Sequence, residues 1–215
     1  MKNIAVILSG CGVYDGAEIH ESVFTMLAID KNGAQYELFA PNIFQHHVIN
    51  HTNGEEMYET RNVMVEAARI ARGSINDLIE LDVNKFDAII FLGGFGVAKN
   101  LCDYAFNGAS CQVNQEVADI IKKAKEVNKV IGAMCISPVL ISKVLDNIEV
   151  TIGSDEATAK DIESFNAVHK SAKVSEVVID SENKIVTTPC YMLDASISEI
   201  AEGAEALVKE VLKLA

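Results

Sequence analysis

Residues 130–140 read Val130-Ile131-Gly132-Ala133-Met134-Cys135-Ile136-Ser137-Pro138-Val139-Leu140. The run opens as a short apolar strand and crosses a single cysteine. It continues into a segment where Pro138 suits an early helical position. A strand that turns straight into a helix through one nucleophilic side chain is the elbow of an α/β sheet, here with sulfur in place of oxygen. Small Gly132 and Ala133 let the backbone pack closely beneath the turn. The first amides of the following helix point toward the sulfur, so the thiolate is expected to be favoured over the thiol. The plainer reading is a buried cysteine that ends a core strand, and these eleven residues leave the two evenly matched.

Moving outward from the elbow, short apolar segments alternate with helical ones. Strands are expected over 2–8, 35–40 and 86–92, and helices over 17–31, 56–72, 114–127 and from the elbow to 143. Ile19, Val23, Met26, Leu27 and Ile29 are expected on the inner face of the first helix, which stops at Asn32-Gly33. The last third predicts a short strand over 149–152, a helix over 158–165, and a hairpin of 174–180 with 184–188. An acidic helix over 197–214 closes the chain. Strands alternating with helices imply a mostly parallel central sheet with helices on both faces, a small hairpin near the C-terminus, and one domain over 1–215.

Bulk composition narrows the function classes. The chain of 215 residues is 49% hydrophobic, enough for a substantial core in one α/β domain. A net charge of −13 disfavours nucleic acid and anionic membrane, which need a basic footprint. No apolar run approaches a membrane span, and the first strand begins too early to leave room for a signal peptide. The expected location is the cytoplasm. The five cysteines (11, 102, 111, 135 and 190) are odd in number and form no C-x-x-C pair, so free thiols are expected and no metal.

Ligands of such a sheet collect beyond the carboxyl ends of its strands. Three features fall there: the Gly10–Gly16 loop, Gly93-Gly94, and Cys135. A diglycine after a buried strand brings the backbone close to a ligand, and the Gly94 and Ile136 amides form a natural oxyanion-binding pair above the sulfur. Gly10-Cys11-Gly12 raises a dinucleotide alternative. It is rejected because the third glycine is displaced and the second strand ends without an acidic residue for a ribose. Glu18, His20 and Glu21 open the first helix at the same sheet edge, where a buried carboxyl could carry a proton against the sulfur. His46, His47 and His51 read better as a polar lid than as metal ligands. Arg61 and Arg69 could hold an anion, although ion pairs with Glu59 or Glu66 are the simpler reading.

Several blocks in combination resemble the ElbB proteins of the ThiJ/PfpI superfamily. They are Leu8-Ser9-Gly10-Cys11-Gly12-Val13-Tyr14-Asp15-Gly16-Ala17-Glu18-Ile19-His20-Glu21, Gln45-His46-His47-Val48-Ile49-Asn50-His51 and Glu59-Thr60-Arg61-Asn62-Val63. Gly93-Gly94-Phe95-Gly96-Val97-Ala98-Lys99-Asn100-Leu101, Met134-Cys135-Ile136-Ser137-Pro138 and Thr187-Thr188-Pro189-Cys190-Tyr191-Met192 complete the set. The resemblance implies a flavodoxin-like sandwich akin to class I glutamine amidotransferases, with Cys135 as nucleophile and Glu21 as the carboxyl on the sulfur. Glu18 is the second choice. It further implies a cofactor-free glyoxalase acting on small-molecule carbonyls, a homodimer, and a link in name to isoprenoid biosynthesis. The surrounding pocket is expected to draw on Gly93, Cys11, His20, Asn100 and Asp155.

The departures from the wider superfamily are specific. Ile136 follows the cysteine where peptidase-like members carry histidine, and Thr187–Tyr191 holds no His-x-Glu pair. Gly153-Ser154-Asp155 stands where related deglycases or glyoxalases place a histidine. Hydrolase readings suffer most, since glyoxalase chemistry runs on a cysteine and one carboxyl. The alternative is a non-enzymatic redox or regulatory protein with an oxidisable Cys135, for which Cys11 could be the resolving partner.

Overall fold

Alternation within the strands explains the layering. In β1 (Asn3–Ile7), Ile4 and Val6 join one apolar cluster while Ala5 and Ile7 join the other. In β4 (Ala88–Phe91), Ala88 and Ile90 divide from Ile89 and Phe91 in the same way. Side chains of successive strand residues point to opposite faces, so both faces of this sheet are buried. The computed structural model describes all 215 residues.

Between these strands lie α1 (Ile19–Lys31), β2 (Gln35–Ala40), α2 (Val63–Ile70) and the two-residue β3 (Asn76–Asp77). After β4 come a π-helical turn (Val97–Leu101), α3 (Tyr104–Asn107), α4 (Gln115–Glu126), β5 (Val130–Met134) and α5 (Ser137–Val144). The chain ends with β6 (Glu149–Val150), α6 (Glu156–Ser164), β7 (Val168–His169), β8 (Val178–Asp180), β9 (Ile185–Thr188) and α7 (Ile197–Leu214). The central sheet runs β3-β2-β1-β4-β5-β9-β8, with every pair parallel except β8–β9. This is the expected α/β flavodoxin-like sandwich. Strand order reverses at β1, which opens a crevice at the carboxyl ends of β1 and β4. A separate parallel pair, β6 with β7, sits outside the sheet.

Three expectations need correction. The helix foreseen over 56–72 forms only from Val63, because the chain before it pairs with itself in bridges Ile49–Glu56 and Phe44–Asn62. Asn62 then caps the helix by accepting from the Val65 amide at 3.1 Å. The strands β3 and β7 were not foreseen, being two residues each and without an apolar pattern.

The third correction concerns α1. Its buried residues are Glu21, Ser22, Thr25, Ala28 and Ile29, while Ile19, Val23 and Leu27 are each more than 40% exposed. The two hydroxyls of the polar inward face find partners. The Ser22 hydroxyl donates to the Glu18 carbonyl at 2.5 Å, and the Thr25 hydroxyl faces the Met134 sulfur at 3.7 Å. The helix is turned to deliver a carboxyl rather than to bury its apolar stripe.

Candidate active site

Cys135 follows β5 directly and adopts φ +59°, the left-handed region that side chains with a Cβ rarely enter. Such a conformation costs about 1–3 kcal/mol and persists where neighbours over-determine it. Here the Cys135 amide donates to the Thr188 carbonyl at 3.0 Å, and the Ser137 hydroxyl bonds the Leu92 carbonyl. Gly132 lies beneath, where a Cβ would come within 3.1 Å of Ile90 and Val211 side chains. The strand-to-helix elbow is therefore present, and it is tightly held.

Glu18 and Glu21 take separate places. Glu18 is the N-cap of α1, its carboxylate accepting from the Glu21 amide at 2.7 Å and its own amide donating to the Gly93 carbonyl at 3.0 Å. Glu21 points inward and is completely buried. Its Oε1 accepts from the Tyr191 amide at 3.1 Å, while Oε2 has no well-aligned partner and faces the cysteine. Burial pushes the Glu21 carboxyl up to about 8, with Glu18 adding to the rise and the Tyr191 amide and Cys135 thiol opposing it. At neutral pH this group carries a proton.

The sulfur departs from expectation. Burial raises the Cys135 thiol well above its ordinary value, and the charge on Glu21 raises it further. The Gly94 and Ile136 amides pull in the other direction without prevailing. Helix-terminal amides do act on the sulfur, but desolvation outweighs them. A neutral thiol beside a protonated Glu21 carboxyl, rather than a free thiolate, is the resting arrangement at neutral pH.

Cys135 opens onto a cavity of about 330 Å³ lined by twelve residues. Gly94, Ile136 and Asp155 lie on its wall as foreseen. Gly93 sits below it, between Glu21 and Cys135. Asn100 is absent from the wall. Its side chain instead clamps the Gly10–Gly16 loop, donating to the Ser9 and Asp15 carbonyls at 3.0 and 2.9 Å and accepting from the His46 amide. Cys11 is absent from the wall, and burial raises its thiol as well, with the charges of Glu66 and Asp15 adding to the rise and Arg69 opposing it. His20 is reached only through Tyr191, whose hydroxyl lies 2.9 Å from its Nδ1. The histidine segment covers the Gly10–Gly16 loop rather than the cavity: His51 Nε2 accepts from the Tyr14 amide, and His46 stacks on Phe106. Arg61 and Arg69 both pair with the buried Glu66, at 3.5 and 2.8 Å.

Sequence reasoning assigned no role to Tyr191, Tyr104, Thr158, Phe95 or Met192, all of which line the cavity. Tyr191 matters most, since its amide holds Glu21 and its ring forms wall. It follows Cys190, a second residue at positive φ (+44°), within a short 3-10 turn. No local pattern announces that conformation. A larger groove of about 600 Å³ near Met26, Tyr36 and Arg72 holds no cysteine, so the Cys135 cavity is the candidate site.

A flavodoxin-like sheet with a cysteine elbow and a buried glutamate below it defines an amidotransferase-like protein. Comparison agrees. The chain is 44% identical over 98% of its length to the human glutamine amidotransferase-like class 1 domain-containing protein 3, mitochondrial, covering 82% of that protein. It superposes with TM-score 0.91 and 34% identity on an isoprenoid biosynthesis protein with amidotransferase-like domain from Ehrlichia chaffeensis, covering 98% of this chain and 99% of that one. A ThiJ/PfpI domain protein from Brachyspira murdochii shares the fold at TM-score 0.61 and 17% identity, with 99% and 98% covered. No family model matches the chain. The chain belongs to the ElbB-like family of amidotransferase-like class 1 domain proteins. No helix is long and apolar enough to cross a membrane.

Proposed function

We propose that this protein is a cofactor-independent glyoxalase, converting small dicarbonyls such as glyoxal and methylglyoxal to 2-hydroxy acids. The observation that carries the reading is a carboxyl that holds its proton to about 8, buried against Cys135 beside a cavity. Such a group can accept and return protons at neutral pH.

The steps balance without a co-reactant other than water. The Glu21 carboxylate takes the thiol proton as sulfur adds to the aldehyde carbon, forming the C–S bond. Gly94 and Ile136 amides receive the developing oxyanion, which Glu21 then protonates to give the hemithioacetal. The same carboxylate removes the hydrogen on that carbon to give an enediolate, then returns this proton to the neighbouring carbon while the hydroxyl proton on the sulfur-bearing carbon passes to the neighbouring oxygen. This leaves a 2-hydroxy thioester. Water cleaves it, regenerating the thiol and releasing the hydroxy acid. Glu18 serves this cycle by capping α1, which orients Glu21.

Two rivals lose ground. A peroxide sensor calls for an accessible thiol of lowered pKa, whereas Cys135 is buried and raised. Glutaminase chemistry needs a histidine to activate sulfur, and none lines the cavity. The five cysteines are all free, which suits the reducing cytoplasm we assign to the protein. The test is lactate formation from methylglyoxal followed by NMR. Wild type is expected to produce it, Cys135→Ser to produce none, and Glu21→Gln to fall by about 10²–10⁴-fold. Lactate from Cys135→Ser at the wild-type rate overturns the proposal.

A further inference from the structure

The cavity wall carries more information than the nucleophile requires. Nine of its twelve residues are hydrophobic, and none is lysine, arginine or histidine. Its charged member is Asp155, a carboxylate held below the usual range by the Thr158 amide and hydroxyl. The Tyr104 hydroxyl is committed to Asp161 at 2.7 Å, outside the wall. Lys99 stands nearby but turns away, donating to the Tyr14 carbonyl at 2.7 Å and lying 5.4 Å over the Phe95 ring. A carboxylate or phosphate entering here would meet no counter-charge and one charge of its own sign.

Size adds to this. About 330 Å³ lies within the range, about 300–1,000 Å³, of pockets that enclose whole organic ligands. Glyoxal and methylglyoxal, four and five heavy atoms by their formulae (~4 and ~5), use little of it. The remaining space is bounded by Phe95, Ala98, Ala105 and Met192, which offer contact to carbon and nothing to an ion.

We propose that the cavity beside Cys135 selects uncharged carbonyl compounds with an aryl or branched alkyl arm and turns away those bearing carboxylate or phosphate. The inference rests on the glyoxalase reading for its reacting group, and the arm occupies the Phe95–Met192 side while the carbonyl meets the sulfur.

Two measurements separate this inference from the reading it extends. The first needs no turnover: Cys135 is alkylated with iodoacetamide, iodoacetate or N-phenyl iodoacetamide, and labelling of its peptide is timed by mass spectrometry. Each rate is divided by that of glutathione with the same reagent, which removes intrinsic reactivity. Iodoacetate is expected to lag iodoacetamide by about threefold or more, because the wall offers its carboxylate no cation and the exposed Asp155 opposes it through a solvent-screened charge. The phenyl reagent is expected to lead by several-fold, and Asp155→Asn, which preserves the helix cap, narrows the iodoacetate gap. The second compares kcat/KM for phenylglyoxal, 4-carboxyphenylglyoxal and methylglyoxal. Phenylglyoxal is expected to exceed both by about tenfold.

Iodoacetate labelling as fast as iodoacetamide, or phenyl labelling slower, overturns the inference even if methylglyoxal is turned over. Selective labelling with no hydroxy acid from any dicarbonyl supports the cavity's preference and overturns the glyoxalase reading instead.

Discussion

Glu21 and Cys135 meet across the vacant side-chain position of Gly93: a Cβ built there would lie 2.2 Å from Glu21 Oε2 and 2.9 Å from the Cys135 sulfur. The contact between acid and nucleophile therefore depends on a glycine that touches neither by a side chain. Gly93→Ala must push the two apart. Misplacing reacting groups by about 1 Å costs about 10²-fold, so lactate formation is expected to fall by at least that much. Overpacking should lower stability by about 1–3 kcal/mol, read from urea unfolding.

Acid–base behaviour follows from the raised carboxyl. Below about 8 the pair holds both protons, and Glu21 must lose its own before it can accept the thiol's. The kcat/KM for methylglyoxal is expected to climb close to tenfold per pH unit beneath about 8 and level off above it. A profile flat from pH 6 to 9 would remove Glu21 as the base.

Stability has the opposite slope. The folded carboxyl keeps its proton to about 8, whereas its ordinary value is 4.5. Its neutral form is favoured by the fold, so the associated stability is complete below 4.5 and declines as pH rises through about 8. Glu21→Gln removes the titration and keeps an acceptor for the Tyr191 amide. The variant should melt higher than wild type at pH 8 by about 5 °C, with a smaller gap at pH 5, by calorimetry.

His20 and Tyr191 offer a contrast. The histidine touches the site only through the tyrosine hydroxyl, while the glutamate is held by the tyrosine's main chain. Tyr191→Phe and His20→Ala should each alter kcat by no more than about fivefold, the scale of one partly exposed hydrogen bond. A loss of a hundredfold in His20→Ala would make the imidazole part of the chemistry.

How much of this was legible in the chain differs from place to place. The elbow at 130–140 and the diglycine announced themselves because their chemistry is local: an apolar run, a proline, and glycines where backbone must come close. Residues on α1 did not. A hydrophobic pattern of Ile19, Val23 and Leu27 predicts the inward face from burial alone, but the helix is rotated by capping at Glu18 and by polar partners from β5. That rotation is a tertiary property. The thiol's direction of shift was misjudged for the same reason, since helix amides are visible in sequence and the depth of burial is not. Tyr191, quoted within the Thr187–Met192 block, was given no role because its place depends on a left-handed turn at Cys190, a conformation that cysteine seldom advertises.

The left-handed corner at residue 135 also limits which nucleophiles evolution or design could install there. Serine carries the same single substituent on its β-carbon and would fit. Threonine branches at that atom, and a branched residue is a severe outlier at φ +59°. A hydroxyl enzyme descended from this scaffold would thus be a serine enzyme, with the threonine route closed by backbone geometry before any question of reactivity arises.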